Sequence, residues 1–296
     1  LLCDCVRDWR RYRDWKMVFI IVHIGAGHYS RKNIASYEQV IRSSLRNGID
    51  SYSLDPHDLL RVALAVMQTL ESSGLLNTGA GSSLNRDLAV ETDAVMMDGS
   101  TGAMGVVAAA PGVANPSDVA YSLLSDSMSG LEFGSLLRPC VLCGEGARRY
   151  AVERDILKSV SITEKTRLKG ESYLRQMQKT QDEVVDTVGC IVVANHMMVA
   201  AGSSGGNWLS YPGRTGLCGV PGAGVWCDGD VGCVLSGVGE TCIRRLFAKQ
   251  VCDIMQSGIR CEKRIETAIK EELVHDMEKM RISLQPSFGV VAVKMN

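Results

Sequence analysis

A polar, lysine-rich tract over residues 163–183 gives way to the run Val184-Val185-Asp186-Thr187-Val188-Gly189-Cys190-Ile191-Val192-Val193. β-Branched apolar runs read as buried strands, so Thr187 is expected at the mouth of a strand beside a tether. A cut at the Asp186–Thr187 bond would leave a hydroxyl nucleophile and a free α-amine on one residue. An N-terminal amine is a known base for such a hydroxyl. The plainer reading of the same residues is a threonine that begins a strand.

Other stretches bear on that choice. His23-Ile24-Gly25-Ala26-Gly27 follows a strand-like run. Ser30 stands where a dinucleotide fingerprint needs glycine, and no acid closes a second strand at the required distance. These glycines instead suit a close backbone approach. Asn77-Thr78-Gly79-Ala80-Gly81-Ser82-Ser83-Leu84-Asn85 suits a fixed binding loop. Tyr211-Pro212-Gly213-Arg214-Thr215-Gly216 is a turn displaying one arginine, a fitting clamp for a carboxylate. Cys140-x-x-Cys143 has no second pair at zinc spacing, so it reads as core and no metal or cofactor is expected.

The elements that would carry these residues follow from periodicity. Strands are expected at Val18–Ile24, Val90–Met97, Gly102–Ala110, Val188–Val193, Met197–Ala201, Val231–Leu235 and Gly289–Val293. Helices are expected at Tyr37–Leu45, after Asp55-Pro56, and from Pro116 to Met128. Others are expected from Gly144 to Arg154, after Glu240 with Cys242, Ile243, Leu246, Val251 and Ile254 inward, and from Glu262 to Met280. That order predicts one α+β domain of antiparallel sheets covered by helices. Residues 1–17 read as a disordered arm, and 163–186 as a mobile tether, partly helical.

A net charge of −1 gives no electrostatic case for nucleic acid or anionic lipid. No apolar run reaches the ~18 residues of a membrane span. Eleven cysteines, an odd number without a framework, suggest a reducing compartment, cytoplasmic or nuclear.

Several stretches in order resemble the type-2 asparaginase family of N-terminal nucleophile hydrolases. They are His23-x-Gly-Ala-Gly27, Asn77-x-Gly-x-Gly-Ser-x-Leu-Asn85, Glu91-x-Asp-Ala-x-Met-Met-Asp-Gly99 and Gly144-Glu-Gly-Ala147. Asp186-Thr-Val-Gly189, Ser203-Ser-Gly-Gly206, Pro212-Gly-Arg214 and Ser236-Gly-x-Gly-Glu240 complete the set. Within that family the chain most resembles the threonine aspartase (taspase) branch. The resemblance implies an αββα four-layer sandwich, cut into an α-subunit half (18–186) and a β-subunit half (187–296). It implies Thr187 as the nucleophile freed after Asp186, and Ser204 as the hydroxyl holding its amine. Ser236 and Gly237 are implied as the oxyanion hole, with Arg214, Gly25 and Asn85 toward the substrate.

Family members acting on free asparagine carry Asp three residues after the clamp arginine, where this chain has Leu217. An apolar residue cannot offset the desolvation of an ammonium. The resemblance therefore favours a self-activating threonine endopeptidase that cuts after internal Asp, with protein substrates such as nuclear regulators and a homodimer of cleaved units. Ser204 in place of threonine and Trp226 point the same way, whereas the tether is shorter than that branch's and lacks its basic clusters. The alternatives are an asparaginase or β-aspartyl peptidase, and a non-catalytic fold kept as a binding module.

Overall fold

Successive side chains of a strand point to opposite faces, and β5 (Val188–Ala194) is apolar on both. Val188, Cys190 and Val192 join one buried cluster and Ile191 another, so this strand needs cover on two sides. The computed structural model supplies it, describing residues 17–26, 29, 31–130, 135–176, 187–257, 267, 271 and 288–295. The arm at 1–16, Asp186 with the end of the tether, and nearly all of the helix expected at 262–280 lie outside the described residues.

Six strands form the larger sheet in the order β1-β5-β6-β2-β3-β4. They are β1 (Phe19–His23), β5, β6 (Met197–Ser204), β2 (Glu91–Asp98), β3 (Met104–Pro111) and β4 (Val141–Cys143). All neighbours are antiparallel except β3 and β4, which run parallel. On one face lie α1 (Ile34–Leu54), α2 (Leu59–Ser72), α3 (Pro116–Met128) and α4 (Gly144–Glu153). On the other lies a smaller antiparallel sheet, β7 (Val225–Asp228), β8 (Val231–Ser236) and β9 (Gly289–Lys294). Against β7 and β8 packs α7 (Phe247–Gln256), and α6 (Gly239–Arg245) packs beside α7 and the turn at Leu217–Gly219. The architecture is mixed α and β.

Several expected boundaries move, each for a local reason. α1 runs nine residues past the expected Leu45 because Gly48 offers no Cβ where Ile20 Cδ1 and Val66 Cγ2 crowd in, 2.8 Å from where one would sit. Asp55 closes α1 through its N–H to the Ser51 carbonyl, and Asp58 caps α2, its carboxylate accepting the Arg61 N–H at 3.0 Å. The helix after β8 breaks at Leu246, which is left-handed (φ 50°) and exposed rather than inward. β4 is an edge strand, so Cys140 and Cys143 are exposed instead of lying in the core. Part of the tether forms α5 (Glu164–Gln176), whose Tyr173 meets the Trp208 ring edge-on at 5.2 Å, with Lys169 Nζ 4.8 Å from that ring.

Gly105 on β3 marks the closest approach of helix to sheet. A Cβ there would lie 1.9 Å from the Ala120 carbonyl oxygen of α3. Gly105→Ala is expected to lower stability by roughly 1–3 kcal/mol or more, since backbone rather than a flexible tip must move. Urea unfolding beside the wild type measures it.

Candidate active site

Three hydroxyl residues meet where strand ends of the two sheets converge. Val188 pairs with Ser203 across β5 and β6, so one further step sets Thr187 opposite Ser204. Ser236 ends β8, which packs over β5. The Thr187 N–H donates to Ser236 Oγ at 3.3 Å, and the Ala26 N–H donates to the same oxygen at 3.2 Å. One buried hydroxyl thus joins the loop after β1, the start of β5 and the end of β8. Ser204 Oγ instead accepts the N–H of Gly206 at 3.2 Å. In the uncut chain the hydroxyl at the Thr187 amide nitrogen is Ser236; the role the resemblance implies for Ser204 belongs to the amine that a cut would free.

The remaining expected residues are distributed around this point. Gly25 has φ 117°, a conformation that favours glycine, in the loop that sends Ala26 to Ser236. Gly237 follows Ser236 and is backed by Phe288, whose Cδ1 lies 2.2 Å from where a Cβ would be. Asn85 is buried and spent on the fold: its Oδ1 accepts the N–H groups of Asp87 and Ala89, and its Nδ2 donates to Glu91 at 3.1 Å. Glu91 in turn accepts the Gly213 N–H, with 2.9 and 3.0 Å to its two oxygens. Asn85 thereby reaches the arginine turn through Glu91.

Arg214 is held on several sides. Its Nε and Nη2 donate to Glu240 at 2.8–3.0 Å, a two-pronged pairing of the kind guanidinium geometry favours. Cβ atoms on Gly216 and Gly239 would come within 3.2 and 2.4 Å of its nitrogens. Asp93, buried on β2, accepts the Gly216 N–H and the Ala109 N–H, both at 2.8 Å. Burial lifts Asp93 to about 6; those two N–H groups and the Arg214 charge pull the other way.

Behind β6, on the helix side, sits a second buried carboxyl. Glu71 Oε1 accepts from the Ser117 N–H at 3.1 Å and the Ser117 hydroxyl at 2.6 Å, while Oε2 has no partner. Burial pushes Glu71 up to about 8. Beside it the Ser203 and Thr78 hydroxyls share a hydrogen bond of 2.6 Å. His23 Nε2 is also unpartnered, 2.5 Å from where a Cβ on Gly189 would sit, and burial lowers His23 to about 4. No group of three or more metal-ligating side chains occurs among the described residues. No helix there is long and apolar enough to cross a membrane.

The sequence matches known proteins over most of its length. The profile described as asparaginase, that of the type-2 asparaginases, matches residues 16–296. The chain belongs to the type-2 asparaginase family. It is similar to the plant-type L-asparaginase of Pyrococcus abyssi, 30% identical over 95% of this chain and 93% of that one. The isoaspartyl peptidase of Salmonella typhimurium is 30% identical over 86% and 84%. The isoaspartyl peptidase/L-asparaginase of Xenopus laevis is 29% identical over 81% and 76%. Sequence reasoning gave this family member no role for Glu71, Asp93 or Glu240. Little in the sequence signals them: each of the two buried acids has an apolar neighbour on one side only, Leu70 before Glu71 and Ala94 after Asp93.

Two outcomes are expected. Glu71 binds its proton more tightly folded than unfolded, so its contribution to stability is complete below pH ~4.5 and is lost as pH rises toward 8. Glu71→Gln escapes that loss: its advantage over wild type should grow with pH across this window, at roughly 1.4 kcal/mol per pH unit at most, in thermal melts. Ser236→Ala removes the oxygen that both N–H groups share and should slow self-cleavage by about 10²-fold, the scale seen on losing one polar group of a reaction centre. Intact mass against time reads it.

Proposed function

We propose that this chain is a self-activating threonine amidohydrolase of the asparaginase and isoaspartyl peptidase kind, opening an amide on an aspartyl unit. The carrying observation is the Ser236 hydroxyl at the Thr187 nitrogen, beside the arginine turn. Cleavage of the Asp186–Thr187 bond turns that nitrogen into an α-amine. With a reference pKa of ~7.7–8.0 it is partly neutral near pH 7 and accepts the Thr187 hydroxyl proton. Thr187 Oγ1 attacks the acyl carbon, the C–N bond breaks, and the proton leaves with the departing amine. Water then hydrolyses the acyl ester. Gly237 with Ser236 borders the developing oxyanion, and Arg214 takes the free carboxylate of the substrate in competition with Glu240.

The names of the relatives support this substrate class, whereas Leu217 favours a second reading. Leu217 is buried, and Asp93, the acid bonded to its loop, has both oxygens occupied by N–H groups. Neither offers a free partner for the ammonium of asparagine. A peptide with internal Asp has no such ammonium, so a threonine endopeptidase acting on protein substrates in the cytoplasm or nucleus fits that feature better. In either case β5 and β6, from beyond the cut, lie between β1 and β2. We take the mature form to be two interleaved pieces in an αββα arrangement, assembled further as a homodimer.

The deciding experiment follows intact mass for wild type and Thr187→Ala, then assays the product. Wild type alone should split into residues 1–186 and 187–296; a folded wild type that stays whole overturns the enzyme reading in favour of a binding module. Ammonia from L-asparagine, or cleavage of a β-aspartyl dipeptide, supports the amidohydrolase. Cleavage of an internal-Asp peptide with neither of these supports the endopeptidase.

A further inference from the structure

Asp93 takes no part in the bond-breaking described above, yet a carboxylate this deeply buried is costly unless its oxygens are satisfied. It sits at a β-bulge. Thr92 pairs with Ala110 and Ala94 with Val107, so Asp93 alone faces Ala108 and Ala109. Ala109 adopts a left-handed backbone (φ 45°), a strained state for a residue with a Cβ. Its N–H turns to Asp93 Oδ1, while Oδ2 reaches out of the sheet to the N–H of Gly216, both at 2.8 Å. On its other edge the same residue pairs with Ser204 of β6.

The loop it reaches is the one that displays Arg214, and it is shaped around this carboxylate. A Cβ on Gly216 would lie 2.6 Å from Oδ2 and 3.2 Å from Arg214 Nη1, so carboxylate and guanidinium converge on one glycine. A Cβ on Gly219 would lie 2.8 Å from Oδ1. Glu240 engages Nε and Nη2 from the far side, which leaves Nη1 toward Asp93. Bulges beside active sites re-aim a side chain, and here the re-aimed carboxylate ties the β2–β3 bulge to the arginine turn.

We infer that Asp93 is a positioning residue for substrate binding: by holding the Gly216 N–H across the bulge it fixes the loop that presents Arg214 to the substrate carboxylate. This rests on the reading of Arg214 as that clamp. Asn at this position keeps one acceptor but turns an NH₂ group toward the other N–H. The loop then loses a bond to a charged acceptor and gains a donor facing a donor.

The test uses the self-cleaved protein and succinamate, which is asparagine without its ammonium, as a competitor. It is run alongside KM and kcat for L-asparagine and for an internal-Asp peptide. Asp93→Asn should weaken succinamate about ten- to hundredfold, the scale of a lost hydrogen bond to a charged group, and raise KM in parallel. kcat should change less than about threefold, and self-cleavage should still reach completion. A purely structural Asp93 would instead lower kcat and self-cleavage while succinamate binding held, and that overturns the inference. Arg214→Ala separates the two claims. If it leaves succinamate binding unchanged, the clamp reading itself fails; if it weakens binding while Asp93→Asn does not, only the role of Asp93 fails. Should Asp93→Asn not fold, wild type still decides. Asp93 titrates among Arg214, Glu91 and Cys218, and succinamate binding should weaken as pH falls through about 6. A flat affinity from pH 7 to 5 overturns the role.

Discussion

Two strands that follow the Asp186–Thr187 bond, β5 and β6, lie between two that precede it, β1 and β2. Everything at the site depends on that interleaving. The β1–β5 ladder brings the Gly25-Ala26 loop to the start of β5, and the β2–β6 ladder sets Asp93 beside Ser204. Ser236 then closes the arrangement from the second sheet, its single oxygen receiving backbone N–H groups from both sides of the bond. A backbone cut at this point severs one covalent link among many ladder hydrogen bonds. The fold can lose that peptide bond and keep its sheet.

The buried acids are the electrostatic counterpart of this geometry. Asp93 and Glu71 lie on opposite faces of the large sheet, and burial raises both, but they are compensated differently. Asp93 spends each oxygen on a backbone N–H and stands near a guanidinium, so charge is tolerated there. Glu71 has one oxygen doubly bonded by Ser117 and the other unpartnered, which makes the neutral acid the comfortable state near pH 7. The first environment suits a residue that must hold a loop; the second suits one that completes a core.

Substrate class is where the physical and the comparative arguments pull apart. Relatives over most of the chain are asparaginases and isoaspartyl peptidases. At the position where the family resemblance implies a partner for a substrate ammonium, the chain has a buried leucine, Leu217. On the proposed reading the same nucleophile and carboxylate clamp serve both chemistries, because each substrate presents a carboxylate two carbons from its scissile carbonyl. On that reading the choice between them turns on Leu217.

Much of this was legible in the sequence. Apolar and β-branched runs located β1, β2, β3, β5, β6, β8 and β9; the Asp-Thr junction singled out Thr187 and the glycine turn Arg214, whereas Ser236 was implied by the family resemblance. Short edge elements such as β4 and β7 carry too few residues to show a period, and the break at Leu246 has no glycine or proline to announce it. The partners of the site were beyond reach for a different reason. Glu240, Asp93 and Ser236 meet Arg214, Gly216 and Thr187 across separations of 26 to 123 residues. Composition and spacing determined which groups were available and which local elements would hold them. Only the tertiary structure decided which hydroxyl meets the Thr187 nitrogen and which acid holds the arginine turn, because those pairings depend on strand order and on a bulge that no local pattern encodes.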